Sequence, residues 1–275
     1  MTDLYAVIGN PIYQSKSPLI HGMFAQATGQ DIEYIAIESP LDGFAGAVDA
    51  FRAAGGRGLN ITAPFKLDAF AYARERSERA ELAGAVNAMK FDGDRVLAEN
   101  FDGVGLVRDV VHNLNCPLKG KRVLLLGAGG AARGALLPLL AQEPAEVVIA
   151  NRSLDKAQAL ARIAEASGAG HVRGCSYADL AGQAFDVVFN ATSASLQTEL
   201  PPVPASVFAL DCLAYELAYG KGLTPFLRMA QSAGVRQLAD GVGMLAEQAA
   251  EAFEWWRGVR PDTRAVIEKL TVALV

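Results

Sequence analysis

Cysteine, histidine and tryptophan are scarce in this chain, at three, three and two residues among 275. Cys116, Cys175 and Cys212 are odd in number, far apart and without metal-type spacing, and His21, His112 and His171 are scattered. Neither a disulfide framework nor a zinc site is signalled, so the cysteines read as reduced and structural and no metal is expected. No uninterrupted apolar segment approaches the roughly 18–20 residues of a membrane span, and Met1-Thr2-Asp3-Leu4 lacks a basic region leading into an apolar stretch. A membrane span and a signal peptide are therefore not expected, and a cytoplasmic location is. Positive charge is not in excess either: 25 Lys and Arg against 30 Asp and Glu leave a net charge of −5, without the global basic signature of a nucleic-acid binder.

What is there is a composition of 51% hydrophobic and 20% charged residues, an enzyme-like balance, in a chain of 275 residues, longer than a single core usually serves. Two domains are expected. Apolar strand-like runs recur at Leu4–Ile8, Tyr34–Ile37, Gly58–Ile61, Val123–Leu126, Val147–Ala150, Val187–Phe189 and Phe208–Leu210, with helical patterns between them, for example Gly43–Arg52 and Thr224–Gln231. That alternation predicts an α/β fold with largely parallel sheets. Asp92-Gly93 between two short apolar runs reads as a hairpin, and the domain boundary is placed just after it. A helix from Val104 to Val111 and the turn from Asn115 to Gly120 would link the first domain to the second.

The most informative stretch is Arg122-Val123-Leu124-Leu125-Leu126 running into Gly127-Ala128-Gly129-Gly130-Ala131-Ala132-Arg133. An apolar run ending in Gly-x-Gly-x-x-Ala and opening a helix is the dinucleotide-binding turn. One glycine permits the tight turn, the next lets backbone approach a pyrophosphate, and the small third residue seats helix on sheet, leaving helix N–H groups facing the phosphates. The strand at Val147–Ala150 ends where the ribose-contacting residue belongs, roughly 20 residues beyond the turn. There the chain carries Asn151-Arg152-Ser153, with Lys156 one turn on. Cationic groups favour a 2′-phosphate where an acid would repel it, so the expected cofactor is NADP rather than NAD.

The first domain should then hold the substrate, and the ends of its strands are rich in polar groups. Ser15-Lys16-Ser17-Pro18 follows the first strand, with Ser17 placed as N-cap of a helix whose N-terminus would favour a carboxylate. The third strand ends in Asn60-Ile61-Thr62-Ala63-Pro64-Phe65-Lys66, with a helix start expected at Pro64; beyond it lie Gly84-Ala85-Val86-Asn87 and Glu99-Asn100-Phe101-Asp102. Lys66 and Asp102 are the two opposite charges among neutral hydrogen-bonding groups. A carbonyl reduced by hydride needs a proton, which such a pair can supply or relay; a structural ion pair bridging two loops is the alternative reading.

With these segments the chain resembles the shikimate dehydrogenase family, whose members reduce 3-dehydroshikimate to shikimate with NADP. Further matching stretches are Asn190-Ala191-Thr192-Ser193, Tyr219-Gly220-Lys221-Gly222 with Thr224-Pro225, and Asp240-Gly241-Val242-Gly243-Met244-Leu245, so the likeness spans nearly the whole chain. The resemblance implies two domains: a mixed, mainly parallel α/β substrate domain of residues 1–103 plus 243–275, to which a helix Met244–Trp256 returns, and a Rossmann-type doubly wound NADP domain of residues 104–242. It implies that Lys66 and Asp102 are the catalytic pair, that Ser15, Ser17 and Tyr219 hold the substrate carboxylate, and that Thr62, Asn87 and Gln248 bond the ring hydroxyls. Gly127, Ala128, Gly129, Gly130, Ala131 and Thr192 would line the dinucleotide, Asn151, Arg152, Ser153 and Lys156 would surround the 2′-phosphate, and Gly241 and Met244 would lie near the nicotinamide. Leu245, Ala249, Ala252, Phe253 and Trp256 recur at helical spacing and read as core.

Three positions depart from the family's usual residues: Ala88 and Phe101 stand where threonine is usual, and Glu216 where aspartate is. They leave relatives acting on quinate or an aminated analogue as alternative readings, with a non-catalytic dinucleotide-binding sensor as a third. The partners expected are small molecules, with neither nucleic acid nor membrane, and the chain alone leaves monomer and homodimer open.

Overall fold

The computed structural model describes residues 2–166, 171–192, 200–220 and 222–274. By contact density the chain divides into two units, Met1–Gly105 with Ala246–Glu268, and Leu106–Leu245 with Lys269–Val275.

The first unit contains β1 (Asp3–Gly9), α1 (Ser17–Thr28), β2 (Ile32–Glu38), α2 (Phe44–Ala53), β3 (Gly56–Ile61), α3 (Lys66–Tyr72), the two-residue β4 (Glu75–Arg76), α4 (Glu78–Ala83), β5 (Ala88–Asp92) and β6 (Arg95–Glu99). Its six-stranded sheet runs β2-β1-β3-β5-β6-β4. β1 pairs in parallel with β2 and β3, whereas β5 joins β3 and β6 antiparallel. The expected hairpin is β5–β6, and its two-residue turn is Gly93-Asp94, one position later than Asp92-Gly93, because Asp92 pairs with Arg95. Gly93 takes φ +59°, a value costly for any residue with a Cβ. Strand alternation sends Ala6, Ile8, Leu59 and Ile61 to one face, where Phe44, Val48 and Phe65 cover them. Tyr5 and Ala88 cluster on other packing with Phe101, Ala252 and Trp256.

α5 (Asp102–Arg108) leads through a π-helical turn at Asp109–Asn113 into the second unit, so the helix expected over Val104–Val111 is split between two winding types. There follow β7 (Arg122–Leu126), α6 (Gly130–Leu140), β8 (Glu146–Ala150), α7 (Leu154–Ala166), β9 (Val172–Cys175), β10 (Phe185–Asn190), β11 (Phe208–Glu216), α8 (Pro225–Ser232) and β12 (Gln237–Asp240). α9 (Val242–Arg257) and α10 (Arg264–Leu270) complete the chain. The second sheet runs β12-β11-β10-β7-β8-β9 with every pairing parallel, the order of a doubly wound dinucleotide fold. Its central strands read as continuous apolar runs because both faces are covered. Val123, Leu125, Val147, Ile149, Val187 and Phe189 join one core, and Leu124, Leu126, Val148, Ala150 and Val188 join the other. No described helix is long and apolar enough to cross a membrane, and among the described residues no group of acidic, histidine and cysteine side chains gathers as a metal site.

Candidate active site

Lys66 opens α3 and Asp102 opens α5, and the two meet: Nζ of Lys66 lies 2.6 Å from Oδ2 of Asp102. The pair is half-buried, with 36% of the lysine side chain and 17% of the aspartate exposed, so a reactant can reach it. The other carboxylate oxygen accepts a hydrogen bond from Nδ2 of Asn87 at 2.8 Å. Asn87 is buried, and its remaining bonds are to protein: Oδ1 accepts the Phe101 N–H at 2.9 Å, and Nδ2 also reaches Oε1 of Gln248 at 3.4 Å. Asn100 holds the next link, accepting the Asp102 N–H at 3.1 Å and donating to the Ala85 carbonyl at 3.0 Å. Val86 N–H closes the circle on the Lys66 carbonyl at 3.0 Å. The strand ends, the hairpin and the 84–87 turn thus hold one cation and one carboxylate in a fixed geometry, the arrangement proton transfer requires.

The substrate-side loops of β1 and β3 are locked to each other. Thr62 N–H donates to the Ile8 carbonyl at 3.0 Å and Asn10 N–H to the Ala63 carbonyl at 3.1 Å. A Cβ at Gly9 would sit 2.5 Å from Cγ2 of Thr62, so the absence of a side chain there is what seats the threonine. Ser17 is not the N-cap. It is the first residue of α1, its N–H is taken by Oγ of Ser15 at 3.3 Å, and Lys16 occupies the cap position without a side-chain bond. Because Ser15 caps the turn, the Ser17 hydroxyl is released from that task. The helix expected to start at Pro64 begins two residues later, at Lys66.

In the second unit, Gly127 has φ +106° and a Cβ on it would press on the Ala191 carbonyl, so only glycine fits the turn. Gly129 and Gly130 differ: a Cβ on either would meet nothing within 4 Å. Protein packing does not require these two glycines, and they leave open space before the first turn of α6, whose N-cap, Gly129, provides no side-chain cap. The residues here fit a dinucleotide pyrophosphate. Beyond β8, Asn151 donates to the Ser153 carbonyl at 3.0 Å, while Arg152 and Lys156 are exposed and form no ion pair among the described residues. Arg152 also draws down the hydroxyl pKa of Tyr177, which burial pushes up, and this marks Tyr177 as a neighbour the sequence did not single out.

Thr192 follows β10 and is held by Asn190, whose Oδ1 accepts both its N–H at 3.2 Å and its hydroxyl at 2.7 Å. Nδ2 of Asn190 donates to Oε2 of Glu216 at 3.0 Å, and that buried carboxylate also accepts the Thr224 hydroxyl at 3.2 Å and the Ala218 N–H at 3.4 Å. Asn190 and Thr224 support the site without a role assigned from sequence; Asn190 ends β10, whereas Thr224 caps α8 and is brought to Glu216 by the fold. Tyr219, three residues past β11, is exposed. Met244 donates its N–H to the Tyr215 hydroxyl at 3.3 Å, and Tyr215 donates to Oδ2 of the buried Asp109 at 2.7 Å. Gly241 and Gly243 have packing reasons to be glycine, since side chains there would collide with the Leu217 carbonyl and the Asp109 carboxylate. Ser193 and Lys221, within the matching segments, lie outside the described residues.

The chain matches three family models: the shikimate dehydrogenase substrate binding domain over residues 7–89, shikimate/quinate 5-dehydrogenase over 109–198, and the shikimate 5′-dehydrogenase C-terminal domain over 241–271. It is 58% identical to a protein of Aromatoleum aromaticum named shikimate dehydrogenase (NADP(+)), across 98% of this chain and 96% of that one. The chain belongs to the shikimate dehydrogenase family. Among solved structures of related proteins, an Ael1 enzyme from Pseudomonas putida is 62% identical, with both chains covered in full and a TM-score of 0.96. Shikimate 5-dehydrogenase from Thermus thermophilus, solved with NADP(H) and shikimate, is 31% identical over 97% of this chain and 98% of that chain, with a TM-score of 0.83. Two of the three departures from the usual family residues lie in one core. Ala88 and Phe101 are both buried in it, with the Phe101 ring edge-on to Trp255 at 5.6 Å and the Arg79 guanidinium 5.7 Å from its centre. Phe101 therefore packs beneath the site and anchors Asp102, its neighbour in sequence.

Proposed function

We propose that this protein catalyses the NADP-dependent, reversible reduction of 3-dehydroshikimate to shikimate, a step toward the aromatic amino acids. The observation that carries the reading is the Lys66–Asp102 pair with both carboxylate oxygens engaged, one by Lys66 and one by Asn87. The relatives' names, the open space before Gly129 and Gly130, and Arg152 and Lys156, which form no ion pair among the described residues, support NADP as the cofactor. Bound there, NADP would supply the hydride acceptor for shikimate oxidation and, reduced, the donor for the reverse.

The chain's own residues do the rest. Ser15, Ser17 and Tyr219 hydroxyls hold the substrate carboxylate; Thr62, Asn87 and Gln248 bond the ring hydroxyls. In reduction, the Lys66 ammonium donates a proton to the carbonyl oxygen while Asp102 stabilises the charge on the lysine. In oxidation the pair takes that proton back. Ala88 and Phe101 are buried among aromatic side chains, so these two departures from the usual family residues are core positions. Residues 1–103 with 243–275 serve as the substrate domain and 104–242 as the cofactor domain, in a cytoplasmic monomer or homodimer whose partners are small charged solutes.

Expression in a bacterial strain deleted for shikimate dehydrogenase tests the reading. Growth without aromatic amino acids is expected for the wild-type chain and not for Lys66→Ala. Failure of the well-expressed wild type to restore growth overturns it.

A further inference from the structure

α1 carries Ser17, His21 and Phe24 at helical spacing, so the face that presents Ser17 turns His21 and Phe24 inward. His21 is fully buried and lies flat on Tyr34, with ring centroids 4.2 Å apart and planes 5° from parallel. Trp256 at 5.4 Å, Phe24 at 6.0 Å and Phe253 at 6.1 Å complete an aromatic box around the imidazole. Among the described residues neither ring nitrogen has a hydrogen-bond partner, although the Asn60 side chain lies near enough to pull the imidazole pKa partly back up. Burial pushes His21 down to about 3, so the ring is neutral and serves as a flat plate.

The phenol that this plate braces has a defined task. Tyr34 donates its hydroxyl to Oδ1 of Asn60 at 2.7 Å, and Nδ2 of Asn60 donates to the main-chain carbonyl of Asn87 at 3.4 Å. A carbonyl only accepts, so the nitrogen end of the Asn60 amide must face Asn87 and the oxygen end must face Tyr34, which must then donate. Ser17, at the start of α1, is also near this hydroxyl: burial holds the Tyr34 phenol well above its usual pKa and the Ser17 side chain draws it back. This hydroxyl thus ties β2 to the end of β3 and, through Asn60, to the turn that carries Asn87.

We propose that Tyr34, braced by His21, is a positioning residue for substrate binding: its hydroxyl orients the Asn60 amide, which in turn holds the main chain of Asn87. It does not touch the reacting atoms. The inference rests on the substrate reading above and adds a residue that neither motif nor spacing marks.

The test is steady-state kinetics of Tyr34→Phe, which removes one oxygen and leaves the ring stack. Because a hydrogen bond of this kind is worth about two- to tenfold in an equilibrium, the KM for shikimate is expected to rise by about that factor, with kcat within about twofold. The KM for NADP is expected to stay at the wild-type value. Tyr5→Phe is the control: Tyr5 stacks on the same Trp256 at 4.8 Å, but its hydroxyl bonds Arg257 rather than Asn60, so shikimate KM should not move. An unchanged shikimate KM in Tyr34→Phe, a parallel rise in NADP KM, or the same shift in Tyr5→Phe overturns the proposal. Wild-type turnover of shikimate checks the substrate reading separately. Should the wild type oxidise quinate instead, the same comparison is made with quinate; should it oxidise neither, it is made on the calorimetric Kd for shikimate, where equal values for wild type and Tyr34→Phe refute the role.

Discussion

Asn87 donates to Oδ1 of Asp102 at 2.8 Å, so the aspartate that pairs with Lys66 is held from its other side by a neutral amide. Replacing Asn87 with Ala strips that bond and leaves the Phe101 N–H unpartnered in a buried setting. The expected result is a stability loss of about 1–3 kcal/mol with kcat down by about tenfold or more, while NADP binding persists. Denaturant unfolding and single-turnover rates check both halves.

Arg152 and Lys156 are exposed and unpaired with acids among the described residues, and the account gives them the 2′-phosphate. Charge-assisted bonds are worth about 1.5–3 kcal/mol each, so Arg152→Gln with Lys156→Gln should raise the NADP KM by about tenfold or more. The KM for NAD should change by less than about threefold. An equal effect on the two cofactors would remove both residues from the phosphate site.

Phe101 and Ala88 share one core, and Phe101 fills it from the hairpin side. Phe101→Thr should cost about 3 kcal/mol by opening a cavity, and Ala88→Thr about 1–3 kcal/mol by overfilling. Together they should cost less than the sum, by about 0.5 kcal/mol or more, because one supplies volume the other removes. Unfolding of the four-member cycle measures this coupling, and the preference for shikimate over quinate should stay unchanged throughout.

His21 sets a pH dependence whose sign follows from its burial. The folded state keeps the ring neutral down to about pH 3, whereas the unfolded chain takes up a proton near 6.5. Between these values the unfolded state binds more protons, so stability is fully present above pH 6.5 and falls as pH falls, by up to about 1.4 kcal/mol per unit from this one group. His21→Phe should lose that slope relative to wild type between pH 6.5 and 4.5, as followed by urea unfolding. A parallel slope in both proteins would refute the assignment.

Much of this architecture is legible in the residues. Four-residue buried runs such as Val123–Leu126 and Val147–Ala150 announce the central parallel strands because both of their faces are covered, and the glycine turn after the first of them is local in sequence. Three of the four edge strands escape: β9 contains Arg173 and Gly174, β12 starts with Gln237, and β4 is two residues long, so none has an apolar run to read, whereas the edge strand β2 carries Tyr34–Ile37. β11 continues past Leu210 through the exposed Asp211, where a polar residue at the uncovered start of the strand interrupts the pattern. The two opposite charges proposed for catalysis, Lys66 and Asp102, are legible in the sequence, but the side chains that hold them together are not. Asn87 and Asp102 are 15 residues apart and Tyr34 and Asn60 are 26 apart, and only the hairpin and the parallel pairing bring them together. Ser17 was misread as a cap because two serines flank Lys16 and sequence does not say which oxygen the helix N–H will use.

The measurement that bears most directly on the account is kcat/KM of the purified protein for shikimate and for quinate, each with NADP and with NAD, followed by reduced-cofactor absorbance. The account predicts that shikimate with NADP exceeds each of the other three combinations by at least about tenfold, a difference of about 1.4 kcal/mol in transition-state stabilisation. A quinate preference, an NAD preference, or no turnover in any combination by protein that binds NADP would contradict it.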